Sequence, residues 1–317
     1  MTPTPRAIHA TDDALAPSNA RGLLHFVIAV AFSAGGLLLA AGSDTWLWFA
    51  SQMLLAFGFV LWFILLHECG HRTLFRSRVL NRLAGAVAAF MALIPATSWR
   101  HVHAYHHVWT GWQDRDLTTM ALVPRHVAAW ERFMINGAWR TGLPLFSIMY
   151  RLQNFWNTPR LKKYFNPRVM RRIRIENTVY LLAYGGLIAW FGPGAVLHAC
   201  GLGLLLALAF QDLLLVSQHT HMPTSRAGVA KVRPLSAQAQ QASTRSLRFP
   251  AWLSWLFLHF DAHELHHVHV RVPGYRLRAL KQQTPNEVNW WRWLIAVKRL
   301  SGMEFMFGER ERTGMFL

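Results

Sequence analysis

The sequence predicts an all-α integral membrane protein of four transmembrane helices in two hairpins, with the remaining residues gathered as helical segments on one side. Three observations point there. Residues 22–71 and 177–225 contain no Lys or Arg, although the 317-residue chain has 33. Each stretch holds long apolar runs, and a helix of roughly 20 residues crosses the hydrocarbon core. The composition is 53% hydrophobic and 15% charged, against about 25% charged in soluble domains.

The elements follow in order. Residues 1–21 form a polar N-terminal tail and are not expected to be a cleavable signal. The runs 22–41 and 46–66 are the first two spans, joined by Gly42–Ser43–Asp44–Thr45. Residues 178–217 are too long for one crossing and are broken by Phe191–Gly192–Pro193–Gly194, a turn signal. They predict spans at about 174–191 and 195–217, the former leaning on Ile173 and Ile175 for its start. A cap from 72–173 and 218–317 completes a single domain over 22–317. Two basic residues precede residue 22, seventeen lie in 72–176 and fourteen follow 225. By the positive-inside rule the large side is cytoplasmic, and a bacterial inner membrane is the expected location.

Residues 83–97, with Pro95, and residues 249–260 are too short to span and are expected to be interfacial or re-entrant. Residues 126–175 mix aromatic with basic side chains, which suits helices at headgroup level. Residues 224–248 read as a polar connecting loop. The two cysteines, Cys69 and Cys200, exclude a disulfide scaffold. A net charge of +18 raises the question of nucleic acid. The basic residues flank spans and intermix with tryptophan, so membrane lipids or acidic proteins explain them better, and no nucleic-acid partner is expected.

Twelve of the seventeen histidines fall in four clusters: HECGH at 67–71, HVHAYHH at 101–107, QHTH at 218–221 and HELHHVH at 263–269. Residues i and i+4 share a helix face. His67 with His71, His103 with His106 and His107, and His263 with His266 and His267 therefore each present imidazoles on one side. The first and third clusters end the second and fourth spans, and the others lie in the cap, so four spans bring all of them to one side. Eight such histidines and one from QHTH make about nine. One tetrahedral zinc takes four ligands, so nine imply two metals. Imidazole suits iron, zinc, copper or nickel, and spacing alone does not choose.

HECGH and the two HxxHH boxes resemble the three histidine boxes of the membrane fatty acid desaturase family, in particular its acyl-lipid branch. That branch also has QHTH after the last span and a P-x-Y after the last box, here Pro273 and Tyr275. The resemblance covers about residues 60–280. It implies a non-haem centre of two Fe ions that activates O₂ and removes hydrogen twice from an acyl chain to leave a double bond. The family's ligand positions fall on His67, His71, His103, His106, His107, His263, His266 and His267. The third cluster adds one more, either His219 or His221. The resemblance also implies an acyl substrate linked to lipid, CoA or acyl carrier protein. One departure, Val268–Val272 in place of the family's usual run, leaves the substrate entrance open. No His-Pro-Gly-Gly segment occurs, so electrons are expected from a separate donor, and an acidic ferredoxin suits the basic surface.

A ligating histidine usually donates its other N–H to a carboxylate or carbonyl. Candidates are Glu68, Asp114, Asp116, Asp212, Asp261 and Glu264, of which Glu68, Asp212 and Asp261 are favoured. Asp212 stands out as an acid well inside a span, seven residues before His219. Asp114 and Asp116 could equally pair with Arg115. Trp99 and Tyr105 are candidates to line an acyl tunnel. His101 and His269 match no box position, His25, His198 and His259 read as packed, and His9 and His126 as exposed. Rival readings with the same chemistry are an acyl hydroxylase, an acetylenase or a carotenoid ketolase. A different class, a membrane metal transporter or haem carrier, would set its ligands nearer mid-membrane.

Overall fold

Helices α1 (Asn19–Ala40) and α2 (Thr45–His71) form an antiparallel hairpin in the computed structural model, which describes residues 14–308. His9 and the rest of the tail before Ala14 lie outside the described residues. The side chains of Ser18 and Asp44 start the two helices by accepting from Arg21 N and Leu47 N. The pair closes at small residues. A Cβ on Gly36 would meet Leu55 Cγ at 2.6 Å, and one on Gly58 would meet Ser33 Oγ at 2.9 Å. Small residues let backbones approach where both surroundings and core are apolar. Trp62 Nε1 donates to Ser33 Oγ at 2.8 Å and locks the same contact.

Helix α9 (Pro193–His219) starts at the Gly-Pro turn, with Gly192 at φ 80° and Pro193 in the first helical position. It runs parallel to α2 and packs against it. Gln52 sets the alignment: its Oε1 accepts Gly203 N–H at 2.9 Å and its Nε2 donates to the Ala199 carbonyl at 3.1 Å. From Gln52 to His67, and from Gly203 to His219, each helix climbs about 22 to 24 Å at 1.5 Å per residue. Both histidines therefore arrive at one level.

By length and composition α1, α2 and α9 can cross a membrane. The predicted third span lies in α8 (Pro167–Phe191), which does not reach that standard. Asn166 caps Val169 N at 3.0 Å, so the helix nucleates early and its first turns carry Arg168, Arg171, Arg172, Arg174 and Glu176. Helices α3 (Arg78–Met91) and α4 (Ala96–Trp109), bent by 98°, have together the length and composition of a broken span or a re-entrant loop, and α4 returns His103 to His67 and His71 at the end of α2, as a re-entrant pair does. The bend falls at Leu93, φ 57°, and Pro95, inside the stretch expected to be re-entrant. Leu38, Leu182 and Trp190 are 77%, 71% and 81% exposed, an apolar surface that hydrocarbon would cover.

The stretch expected at headgroup level folds as α5 (Ala129–Thr141), α6 (Leu145–Arg151), α7 (Thr158–Leu161) and the start of α8. Trp130 and Phe133 on α5 are exposed. The C-terminal part holds α10 (Ala237–Gln240), α11 (Ala251–Leu256), α12 (His263–Val268), α13 (Gly274–Leu277), α14 (Trp290–Lys298) and α15 (Gly302–Phe307). One feature departs from an all-helical cap: β1 (Ser246–Arg248) pairs in parallel with β2 (Glu287–Asn289). These short strands steady α12, because Leu247 N donates to the Asp261 carbonyl and Glu264 N to Ser246 Oγ, at 2.9 and 3.0 Å. The adjoining Arg245 is fully buried and donates to the Ser217 and Thr220 carbonyls at the end of α9.

Candidate metal centre

Four segments deliver nine imidazoles to one place. The end of α2 brings His67 and His71, α4 brings His103, His106 and His107, α9 brings His219 and α12 brings His263, His266 and His267. The helical spacing works as expected on α2, α4 and α12, whose histidines project from one face of each.

The rings form two nests. In the first, ligand atoms of His67, His71, His103 and His266 lie within 4.8 Å of one another. His107 joins it, with Nε2 at 3.0 Å from the Nε2 atoms of both His103 and His266. His67 Nε2 is 3.1 Å from His266 Nε2. The second nest holds His106, His219, His263 and His267. There His263 Nε2 stands 3.1 Å from the Nε2 atoms of His219 and His267.

Converging nitrogens of this kind could hold a metal ion. A neutral imidazole carries one N–H, and burial together with neighbouring imidazoles holds His263, His266 and His267 well below the usual histidine range. His71 Nε2 is buried with no hydrogen-bond partner among the described residues. The donor set fits metal ions that favour imidazole. Two nitrogens about 2.1 Å from one ion sit about 3.0 Å apart at a right angle and about 3.4 Å apart at the tetrahedral angle. The contacts of 3.0 to 3.1 Å, within nests whose ligand atoms lie up to 4.8 Å apart, are of the size that shared ligation of one ion requires.

The outer nitrogens are braced unequally. His106 Nδ1 meets Asp116 Oδ2 at 2.7 Å, His219 Nδ1 donates to the Ser243 carbonyl at 3.0 Å and His267 Nδ1 to Gln240 Oε1 at 3.1 Å. His67 Nδ1 meets Glu68 Oε1 at 3.1 Å. These contacts put the proton on Nδ1 and leave Nε2 free for a metal. Burial opposes ionisation of Asp116, but His106 and the Thr118 N–H outweigh it and hold the carboxyl below the usual range. Glu68 Oε2 also accepts from Thr73 Oγ1 and Gly274 N, tying α2 to α13. A side chain at Gly274 would strike the Leu258 carbonyl, so the P-x-Y turn needs glycine there.

The other candidates are placed as follows. Asp212 accepts from Ser147 N on α6, and Asp261 binds Arg278 Nη2 and Ser254 Oγ, each at 2.7 Å. Neither touches a nest histidine. Asp114 accepts Ala227 N and Gly228 N in a loop. Glu264 is buried and accepts Asn286 N at 3.1 Å. His221 Nε2 lies 3.1 Å from the Glu304 carbonyl, outside both nests. His101 packs on Phe165, His25 on Trp255 and Tyr275, and His198 on Trp48. His259 bonds Ser254 and His269 bonds Gln282, and His126 is exposed. The bracing by Asp116 was open in the sequence, and Gln240 and Ser243 carried no signal beyond a polar loop.

A cavity of about 40 Å³ borders both nests, walled by Phe63, Trp99, Phe146, Tyr150, Leu215 and Phe260 as well as histidines. Trp99 stacks on His103 with centroids 4.3 Å apart. Tyr105 lies elsewhere on α4, against Tyr164.

Comparison with known proteins agrees with this picture. A family model described as fatty acid desaturase matches residues 43–294. The sn-1 oleoyl-lipid 12-desaturase of Synechocystis sp. is 26% identical over 247 residues, covering 74% of this chain and 65% of that protein. The sn-1 acyl-lipid omega-3 desaturase (ferredoxin) of the same organism is 35% identical over 106 residues, 33% of this chain and 29% of that one. A Bacillus subtilis fatty acid desaturase is 27% identical over 224 residues, 68% of this chain and 62% of that one. The chain thus spans less than two thirds of the length of each of these relatives.

Proposed function

Because the chain belongs to the membrane fatty acid desaturase family, we propose that it is an O₂-dependent di-iron desaturase that introduces a double bond into a fatty acyl chain. One observation carries this reading: nine imidazoles from four segments turn their nitrogens into two adjacent nests beside a cavity with aromatic and aliphatic walls. Nine imidazoles, five in one nest and four in the other, suit two ions. Zinc offers no redox chemistry, whereas oxidising a CH₂–CH₂ unit needs it.

Two bound irons would supply O₂ activation and electron transfer. Overall, the acyl chain gives up two hydrogens, a donor supplies two electrons and solvent two protons, and O₂ leaves as two waters. The protein's own residues do the rest. His67, His71, His103, His107 and His266 would hold one ion and His106, His219, His263 and His267 the other. Asp116, Glu68, Gln240 and the Ser243 carbonyl keep the rings aimed inward. Trp99, Phe63 and Phe260 line the approach and keep water from a reactive centre. The nests lie at the side of the bilayer that carries most basic residues, which supports a cytoplasmic site in a bacterial inner membrane. That basic face suits an acidic donor such as ferredoxin, and an acyl chain on lipid, CoA or acyl carrier protein.

The test is a fatty acid profile of a host expressing the chain with iron and a ferredoxin system. A new or enriched unsaturated chain is expected with the wild type and not with His103→Ala. An unchanged profile from iron-loaded wild-type protein supplied with electrons and O₂ would overturn the reading.

A further inference from the structure

A second pocket, of about 550 Å³, lies on another face of α2 and is walled by Arg72, Arg78, Arg82, Arg100 and Arg172 with a single acid, Glu176. Leu66, Cys69 and Gly70 of α2 form part of its floor. Trp99 closes it from the nests, since a Cβ on Gly70 would sit 2.3 Å from that ring. The pocket therefore belongs to neither nest.

Its charge is unbalanced. Glu176 gives both oxygens to the start of α4, accepting Ala96 N at 2.9 Å and Thr97 N at 2.8 Å. Among the described residues none of the five arginines forms an ion pair. Arg72 and Arg172 repel Arg100, and Glu176 offsets this in part. Arg72, Arg78, Arg82 and Arg172 are exposed and Arg100 half-buried, so water screens their repulsion, but together they turn several guanidinium forks toward one space, and such forks match phosphate oxygens.

The surroundings identify the source. On α3, Val79, Leu83 and Val87 are exposed beside the pocket, and on α8 so are Ile175, Val179 and Leu182. Arginines and apolar residues alternate on the same turns, Arg78 beside Val79, Arg82 beside Leu83 and Arg174 beside Ile175, a mixture that suits headgroup level, where basic side chains snorkel. We infer that this pocket binds the phosphate of a bilayer phospholipid headgroup, at a site separate from the histidine nests.

Binding is independent of turnover, so this inference and the proposed reaction fail separately. Full-length protein, purified in detergent and stripped of lipid, is titrated with phosphatidylglycerol in mixed micelles and the bound lipid counted by native mass spectrometry. One tight lipid per chain is expected. Arg82→Gln with Arg172→Gln should weaken it about thirtyfold, and Arg226→Gln with Lys231→Gln should leave it unchanged. Equal affinity in wild type and the first pair would overturn the site. Displacement of the lipid by millimolar inorganic phosphate would overturn the lipid assignment in favour of a soluble phosphate. If the arginine pair does not fold, Ala86→Trp fills the pocket without altering charge; lost binding then supports the site, and full binding overturns it.

Discussion

The first nest gathers five imidazoles and the second four, yet the smaller one is the better braced. In the second, three of four rings lean on fixed acceptors: Asp116, the Ser243 carbonyl and Gln240. In the first, among the described residues only His67 shows such an acceptor, Glu68, and His107 Nδ1 is buried with no partner. Loaded with metal, the first nest would gain its hold from ligand number, the second from the acceptors behind its rings. Outer acceptors fix ring orientation and raise ligand basicity, so the two sites should respond differently to the same kind of damage.

The largest effect should come from removing a ring outright. His266→Ala and His267→Ala are each expected to lower product formation by at least about a thousandfold, since both ions act on one reaction. Iron analysis should then separate them. The four-ring nest drops to three ligands in His267→Ala and should lose its ion. The five-ring nest keeps four in His266→Ala and should retain part of it. Equal iron loss in both variants would break the comparison.

Next in size is the carboxylate behind the second nest. Asp116→Asn keeps the shape but not the charge facing His106. It should weaken one metal equivalent by about 10- to 100-fold, read by competition with a chelator, and leave the other equivalent near its wild-type affinity. Gln240→Ala removes a neutral acceptor behind His267 and should cost less, about tenfold or below, on the same equivalent. An effect of Gln240→Ala as large as that of Asp116→Asn would mean that position rather than charge does the bracing.

Much of this arrangement was legible in the sequence, and the limits have physical causes. The histidines on α2, α4 and α12 announce themselves because helical periodicity turns spacing into a shared face, and hydropathy puts their helix ends on one side. The acceptors behind them do not. Asp116 reaches His106 through the turn after α4, Gln240 folds back from a polar loop, and Ser243 contributes a backbone carbonyl that any residue would offer. Asp212 shows the converse. Its spacing from His219 is right for a shared face, but α6 packs closer and supplies Ser147 N instead. The start of the third predicted span was harder to read for a related reason, because helix α8 is set by its Asn166 cap as well as by its apolar run and so begins before residue 174.

The smallest expected effect concerns the pair that the sequence left undecided. His219 is the last residue of α9, where Arg245 holds the carbonyls of Ser217 and Thr220, and its ring stands between the Ser243 carbonyl and His263 in the second nest. His221 comes after the helix ends, at φ 56°, and that left-handed turn swings its ring to the Glu304 carbonyl on α15. His219→Ala should therefore remove one iron equivalent and all product. His221→Ala should keep both irons and change turnover by less than about twofold, while loss of one buried hydrogen bond lowers stability by about 1 kcal/mol. Thermal unfolding in detergent reads that shift, and iron content reads the rest. A His221→Ala protein short of one iron would reassign the ninth ligand and, with it, the bracing of the second nest by Ser243.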